Sequence, residues 1–119
     1  MREIRYLDAV IDGFREEMKR DPNVFIMGYD VGVRGSIFGL TTGLLEEMGS
    51  ERIRDTPISE SAIIGCALGS AITGLRPVAF IHFNDFLTVC MDQVVNQTAI
   101  YRAGCGRNPR SSSCRRAWS

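Results

Sequence analysis

One carboxylate in this chain stands where chemistry is readily done. Glu60 ends the run Asp55-Thr56-Pro57-Ile58-Ser59-Glu60, which follows a short strand candidate and opens a helix of small residues. A carboxylate there lies beside the partial positive charge of a helix N-terminus, at the carboxyl edge of a sheet, where α/β folds gather ligands. Such an acid can move protons or touch a cofactor. The plainer alternative is a first-turn Glu that only favours the helix dipole. His82, the single histidine, falls at the end of a strand candidate near the same edge. It is either a proton-transfer or substrate-contacting group or a hydrogen-bonded, partly buried imidazole. Phe83 and Phe86 flank Asn84 and Asp85, and rings there can stack on a planar ligand or pack in a core.

Other motifs carry less. Gly28, Gly32, Gly35, Gly39 and Gly43 crowd one loop. Their spacing fits neither G-x-G-x-x-G nor G-x-x-x-x-G-K-[ST], so an adaptable loop or contact surface is expected rather than a phosphate cradle. The cysteines Cys66, Cys90, Cys105 and Cys114 form no C-x-x-C pair. No metal site is expected, and Cys66 and Cys90 read as small core residues.

The elements that must position these groups follow from periodicity. Leu7, Ile11, Phe14 and Met18 recur at helical spacing, which predicts an amphipathic helix over Tyr6–Arg20, ended by Asp21-Pro22-Asn23. Val24-Phe25-Ile26-Met27, stopped by Gly28, reads as a buried strand. Thr41 or Thr42 can cap a short helix through Met48, and Arg52–Asp55 is a second strand candidate. Ser59 is the expected N-cap of a helix from Glu60 to Thr73. Its glycines Gly65 and Gly69, one turn apart, require something to approach closely. Gly74 closes that helix, Pro77–His82 reads as a third strand, and Asn84 or Asp85 caps a last helix to about Tyr101. The alternation predicts an α/β fold: an incomplete parallel sheet with helices on both faces.

Bulk composition is that of a globular protein, 45% hydrophobic and 24% charged over 119 residues. No apolar run resembles a signal peptide or reaches the length of a membrane span, so the expected setting is cytoplasmic, with no membrane contact. The zero net charge hides an asymmetry. Residues 1–101 carry 9 basic and 14 acidic groups, whereas residues 102–119 carry five Arg and no acid. The tail has little aromatic content, and no nucleic-acid partner is expected from it. From Ala103 onward no Val, Ile, Leu, Met or Phe occurs, so no regular structure is expected there.

Four segments together carry a resemblance: Arg20-Asp21-Pro22-Asn23-Val24-Phe25, Asp55-Thr56-Pro57-Ile58-Ser59-Glu60, Gly74-Leu75-Arg76-Pro77 and Met91-Asp92-Gln93-Val94-Val95-Asn96-Gln97. The chain resembles the N-terminal part of the β subunit of the thiamine-diphosphate-dependent decarboxylating component of 2-oxo acid dehydrogenase complexes, of pyruvate, branched-chain or acetoin type. The match covers residues 1–102, as part of a transketolase-like pyrimidine-binding domain. It implies that Glu60 contacts the ring nitrogen of the cofactor's aminopyrimidine and promotes the imino tautomer that deprotonates the thiazolium carbon. It implies that Phe86 packs on that ring, with His82 as a further cofactor-side residue. The implied cofactor is thiamine diphosphate, shared with an α subunit that mainly holds the diphosphate and Mg²⁺. The implied partners are that α subunit, a second β subunit and a lipoyl-bearing acyltransferase core. The implied reaction is oxidative decarboxylation, or the related acetoin cleavage, with acyl transfer to lipoyl groups. The alternatives are a non-catalytic interaction module or a decaying gene product.

The chain departs from the family pattern at Tyr29, where G-E-D-V usually has an acid, at Phe80, usually Glu, and at His82, often Met. Residues 103–119 depart altogether: relatives continue towards a V-P-[LV]-V-[IV]-R strand. The Arg/Ser/Cys bias of this tail leads to the expectation of a frameshift near codons 102–104. Translation of the other two frames of the coding DNA should restore a V-P-L-V-like strand; if neither frame does so, the frameshift is wrong.

Overall fold

The computed structural model of the chain describes residues 4–107. Helix α1 spans Tyr6–Arg20, as its periodicity predicts, and its apolar face ends on the buried Met18. Strand β1 (Val24–Gly28), helix α2 (Leu44–Met48), strand β2 (Ile53–Asp55), helix α3 (Glu60–Ile72) and strand β3 (Arg76–Phe80) follow. The strands are parallel, in the order β2-β1-β3.

Central β1 is buried at all five positions. Val24 and Ile26 join Met18, Leu44 and Ile53 in one core, whereas Phe25 and Met27 join Ile63 and Ala67 in another. Two-sided burial is why this strand reads as an unbroken apolar run. The β1-to-β2 and β2-to-β3 crossovers run in opposite directions across the sheet. Right-handed crossovers then place α2 and α3 on opposite faces, and the two separate cores are the result. A three-stranded parallel sheet with helices on both faces, the α/β arrangement expected from sequence, is therefore the fold.

Arg52 fixes the entry into β1. Its guanidinium donates to the carbonyls of Val24 (2.6 Å), Met18 (2.9 Å) and Asp21 (3.0 Å). Two of those lie at or just beyond the α1 C-terminus, where carbonyls lack intrahelical partners.

Several local expectations need correction. Thr41 does not cap α2. Its hydroxyl is buried and donates to Val31 O (2.6 Å), and left-handed Gly43 (φ +78°) begins the helix instead. Ser59 occupies the N-cap position of α3 but makes no side-chain capping bond. Strand β3 stops at Phe80, so His82 lies two residues past it. Cys66 is exposed, while Cys90 is buried as expected. Gly65 is approached by Gln93, whose Oε1 would lie 3.3 Å from an added Cβ, but among the described residues nothing comes within 4 Å of a Cβ added at Gly69.

The last helix is one path wound three ways. Asn84–Cys90 is 3-10, Asp92–Ala99 is π-type, and α4 spans Ile100–Arg107. Side chains match each winding: Thr88 Oγ1 donates three residues back to Asp85 O, and Thr98 Oγ1 five residues back to Gln93 O. Neither Asn84 nor Asp85 caps it; Phe83 precedes the first turn, without a side-chain bond. Regular structure continues through Arg107 rather than ending before Ala103. The remainder of the Arg/Ser-rich tail, residues 108–119, lies outside the described residues.

Gly28 pairs with Phe80 across β1 and β3. A Cβ on Gly28 would lie 2.7 Å from the Phe80 carbonyl oxygen and 2.9 Å from its Cβ. Gly28→Ala must spread this strand pair, at about 1–3 kcal/mol. The expected readout is a lower denaturant midpoint at unchanged m-value, and an unaltered midpoint would contradict this packing.

Candidate functional site at the carboxyl edge of the sheet

Gly28, Asp55 and Phe80 end the three strands level with one another. The segments that follow them carry every residue singled out for chemistry. Thr56 N–H donates to Gly28 O (2.9 Å), which carries the β1–β2 pairing one step into the Asp55–Glu60 motif.

The Asp55 side chain turns back on the glycine-rich loop. Its carboxylate accepts the backbone N–H of Gly32 (2.7 Å) and of Val33 (3.2 Å). Gly32 is the residue that permits this approach, because a Cβ there would lie 2.7 Å from Asp55 Oδ2. The loop is folded on itself rather than loose. Ser36 N–H donates to Asp30 O (2.7 Å), Thr41 N–H to Gly35 O (3.1 Å), and Leu40 N–H to Ser36 Oγ (3.1 Å). Asp30 (φ +55°) and Ser36 (φ +66°) both adopt left-handed conformations, a strain held by these bonds.

Glu60 begins α3 and is half-buried. Its carboxylate makes no hydrogen bond or ion pair among the described residues. Next to it, Ser61 Oγ donates to Val89 O (3.0 Å) and ties the head of α3 to the segment bearing Phe86. Phe83 and Phe86 meet edge to face at 5.5 Å and stay 40% and 42% exposed. Phe38 from the glycine-rich loop meets Phe83 at 5.8 Å. Phe86 is thus neither a core residue nor isolated: it offers part of a ring to solvent beside the head of α3.

His82 is buried, with Phe80 edge-on at 5.3 Å and Tyr29 stacked on it at 4.4 Å. Among the described residues neither imidazole nitrogen has a hydrogen-bond partner, so no protein group there supplies the hydrogen bond considered from sequence. Burial pushes its pKa below the ordinary 6.5, and the Asp30 carboxylate pulls the other way. Tyr29 was legible in sequence only as a departure from a pattern. The signal was its place, directly after the fully buried β1. The structure forms two aromatic groups, Tyr29 and Phe80 on His82, and Phe38 and Phe86 on Phe83; no polar contact joins Glu60 to His82. Among the described residues no three His, Cys, Asp or Glu group as metal ligands, and no helix is long and apolar enough to cross a membrane.

A family model described as transketolase, pyrimidine binding domain, matches residues 2–109. The chain belongs to this family. The matched span reaches past Arg102, as helix α4 does. Among relatives of the pyrimidine-binding domain, the chain is 44% identical over 97 residues to the 2-oxoisovalerate dehydrogenase subunit beta of Bacillus subtilis, covering 82% of this chain and 30% of that one. It is 43% identical over 106 residues to the pyruvate dehydrogenase E1 component subunit beta of Staphylococcus epidermidis, covering 89% and 33%. It is 41% identical over 113 residues to the acetoin:2,6-dichlorophenolindophenol oxidoreductase subunit beta of Bacillus subtilis, covering 85% and 33%. The kinship with dehydrogenase β subunits read from the motifs is that of these relatives. The chain spans about a third of their length.

The clamp on the glycine-rich loop can be tested alone. Asp55→Asn keeps the shape but sets an amide N–H₂ against a backbone N–H, which removes one of the two bonds at about 1–2 kcal/mol. Limited proteolysis within residues 29–43 should then speed up relative to cleavage elsewhere. An unchanged pattern would show that the carboxylate does not hold the loop.

Proposed function

We propose that this pyrimidine-binding domain serves as the N-terminal region of a β subunit in a thiamine-diphosphate-dependent dehydrogenase of the 2-oxo acid or acetoin type. The observation that carries the reading is Glu60: a half-buried carboxylate without a protein partner among the described residues, at the head of α3, which Ser61 ties to the segment bearing a partly open pair of aromatic rings. These residues fit the aminopyrimidine half of the cofactor. A planar heterocycle needs an apolar ring surface, which Phe86 and Phe83 offer, and a ring nitrogen needs an acid, which Glu60 offers. His82 stands behind them as a neutral, buried wall. When bound, thiamine diphosphate supplies a thiazolium carbon that adds to a ketone carbonyl and holds the electron pair released on cleavage of the neighbouring C–C bond.

The chain's own contribution is narrower. Glu60 holds a proton at the aminopyrimidine ring nitrogen, Phe86 orients the ring, and the packed α3 behind them keeps water away. Diphosphate and Mg²⁺ fall to an α-type subunit. Partner contacts, to that subunit and to a second β subunit, are supported by apolar side chains exposed along the last helical path, including Val89, Val95 and Ile100. The acyl group passes to the lipoyl groups of an acyltransferase core. The 119-residue chain alone is inactive in this reading, because it carries one half of a shared site.

The test is a chimera in which residues 1–102 replace the matching segment of the Bacillus subtilis 2-oxoisovalerate dehydrogenase subunit beta, assembled with the rest of that dehydrogenase. It should turn over substrate, and Glu60→Gln should lower kcat by about 10²–10⁴. A chimera whose turnover is indifferent to Glu60→Gln, or turnover by the 119-residue chain alone, refutes the reading.

A further inference from the structure

Seven residues, Asn84–Cys90, are wound as a 3-10 helix. That is long for a winding normally used in pieces of about three or four residues, so something must hold it. Two bonds lie within the stretch. Thr88 Oγ1 donates to Asp85 O (2.7 Å) and Cys90 Sγ to Leu87 O (3.3 Å), both three residues back. These bonds travel with the segment and fix it to nothing else. A third bond comes from outside. Ser61 Oγ donates to Val89 O (3.0 Å), just before the 3-10 stretch ends at Cys90 and the π-type winding begins at Asp92. A side chain bonded at a change of winding is a known determinant of local helix pitch.

The winding matters because it sets where Phe86 stands. A 3-10 helix turns about 120° per residue and an α-helix about 100°. Phe86 lies three residues before Val89. With Val89 held, rewinding this stretch as α would carry Phe86 about 60° around the helix axis. The edge-to-face contact with Phe83 at 5.5 Å would not survive such a turn unchanged. Helix α3 packs against the same stretch, and Ser61 is the residue that follows Glu60. One turn along α3, Ile64 and Gly65 bring no side-chain donor that could replace the hydroxyl.

We propose that Ser61 is a positioning residue. Its hydroxyl, acting through Val89 O, sets the rotation of the Phe86 segment relative to Glu60. It thereby tunes the affinity for the planar heterocycle that Glu60 and Phe86 serve together. The inference rests on the function proposed above for those two residues and adds a residue that touches neither the heterocycle nor the reacting atoms.

The test uses the assembled chimera described above and reads the binding of thiamine diphosphate with Mg²⁺ by calorimetry. Ser61→Ala should weaken binding about fivefold, the worth of one neutral hydrogen bond. Ser61→Thr, which keeps the hydroxyl, should bind as the parent does. Hydrogen exchange gives a second readout: in Ser61→Ala the amides of residues 84–91 should lose protection while those of α1 keep theirs. Parent-like affinity in Ser61→Ala, a Ser61→Thr as weak as Ser61→Ala, or protection lost equally in α1 overturns the proposal. Turnover indifferent to Glu60→Gln is a separate outcome; it sinks the underlying reading and this proposal with it.

Discussion

The Asp55 carboxylate, accepting the backbone N–H of Gly32 and Val33, is the contact on which the functional edge depends. It joins the end of β2 to the loop leaving β1. That loop carries Tyr29 against His82 and Phe38 against Phe83. The same stretch of chain continues into Glu60. One side chain therefore sets the loop, with the Tyr29 and Phe38 rings it carries, against the stretch that leads into α3. A charge-assisted bond suits the task, since it keeps its direction at a sheet edge where apolar packing is thinning out.

Long periodic segments were readable in the sequence, and the details of their ends were not. Helix α1 and strand β1 follow from a helical stripe and a two-sided apolar run, both repeated over enough residues to exclude the alternatives. The order of alternating helices and strands carried the parallel sheet. What escaped was set by tertiary contact. Thr41 has the chemistry of a cap, yet Val31 O claims its hydroxyl. Cys66 looks like a core residue by composition but stands on the open side of α3. The glycine-rich loop looked adaptable because its organiser, Asp55, lies more than twenty residues away in sequence. At the candidate site, Glu60 and Phe86 are readings from the motif and the resemblance, while the burial of Tyr29 depends on His82, which follows β3.

The departures from the family pattern also become coherent. Tyr29, Phe80 and His82 are separate in sequence but adjacent in space, with His82 touching both of the others. Departures that look unrelated along the chain form one aromatic cluster at the three positions where the resemblance leads one to expect two acids and a Met. Such a cluster must change the dielectric and the hydrogen-bonding inventory at the carboxyl edge of the sheet together, rather than one residue at a time.

Pairing of Val24 with Arg76 also has a consequence in time. The central strand is finished long before its β3 neighbour has been made, because 52 residues separate the partners. At about 5–20 residues per second, synthesis leaves β1 without that neighbour for several seconds. Throughout that interval a strand apolar on both sides has only α1, α2 and β2 to shelter it. Its second face waits for α3 and β3. A ribosome that pauses after β2 is made and before β3 is free to pair would therefore hold out a sticky, half-paired sheet, and codon choice beyond β2 bears on how this domain reaches its fold.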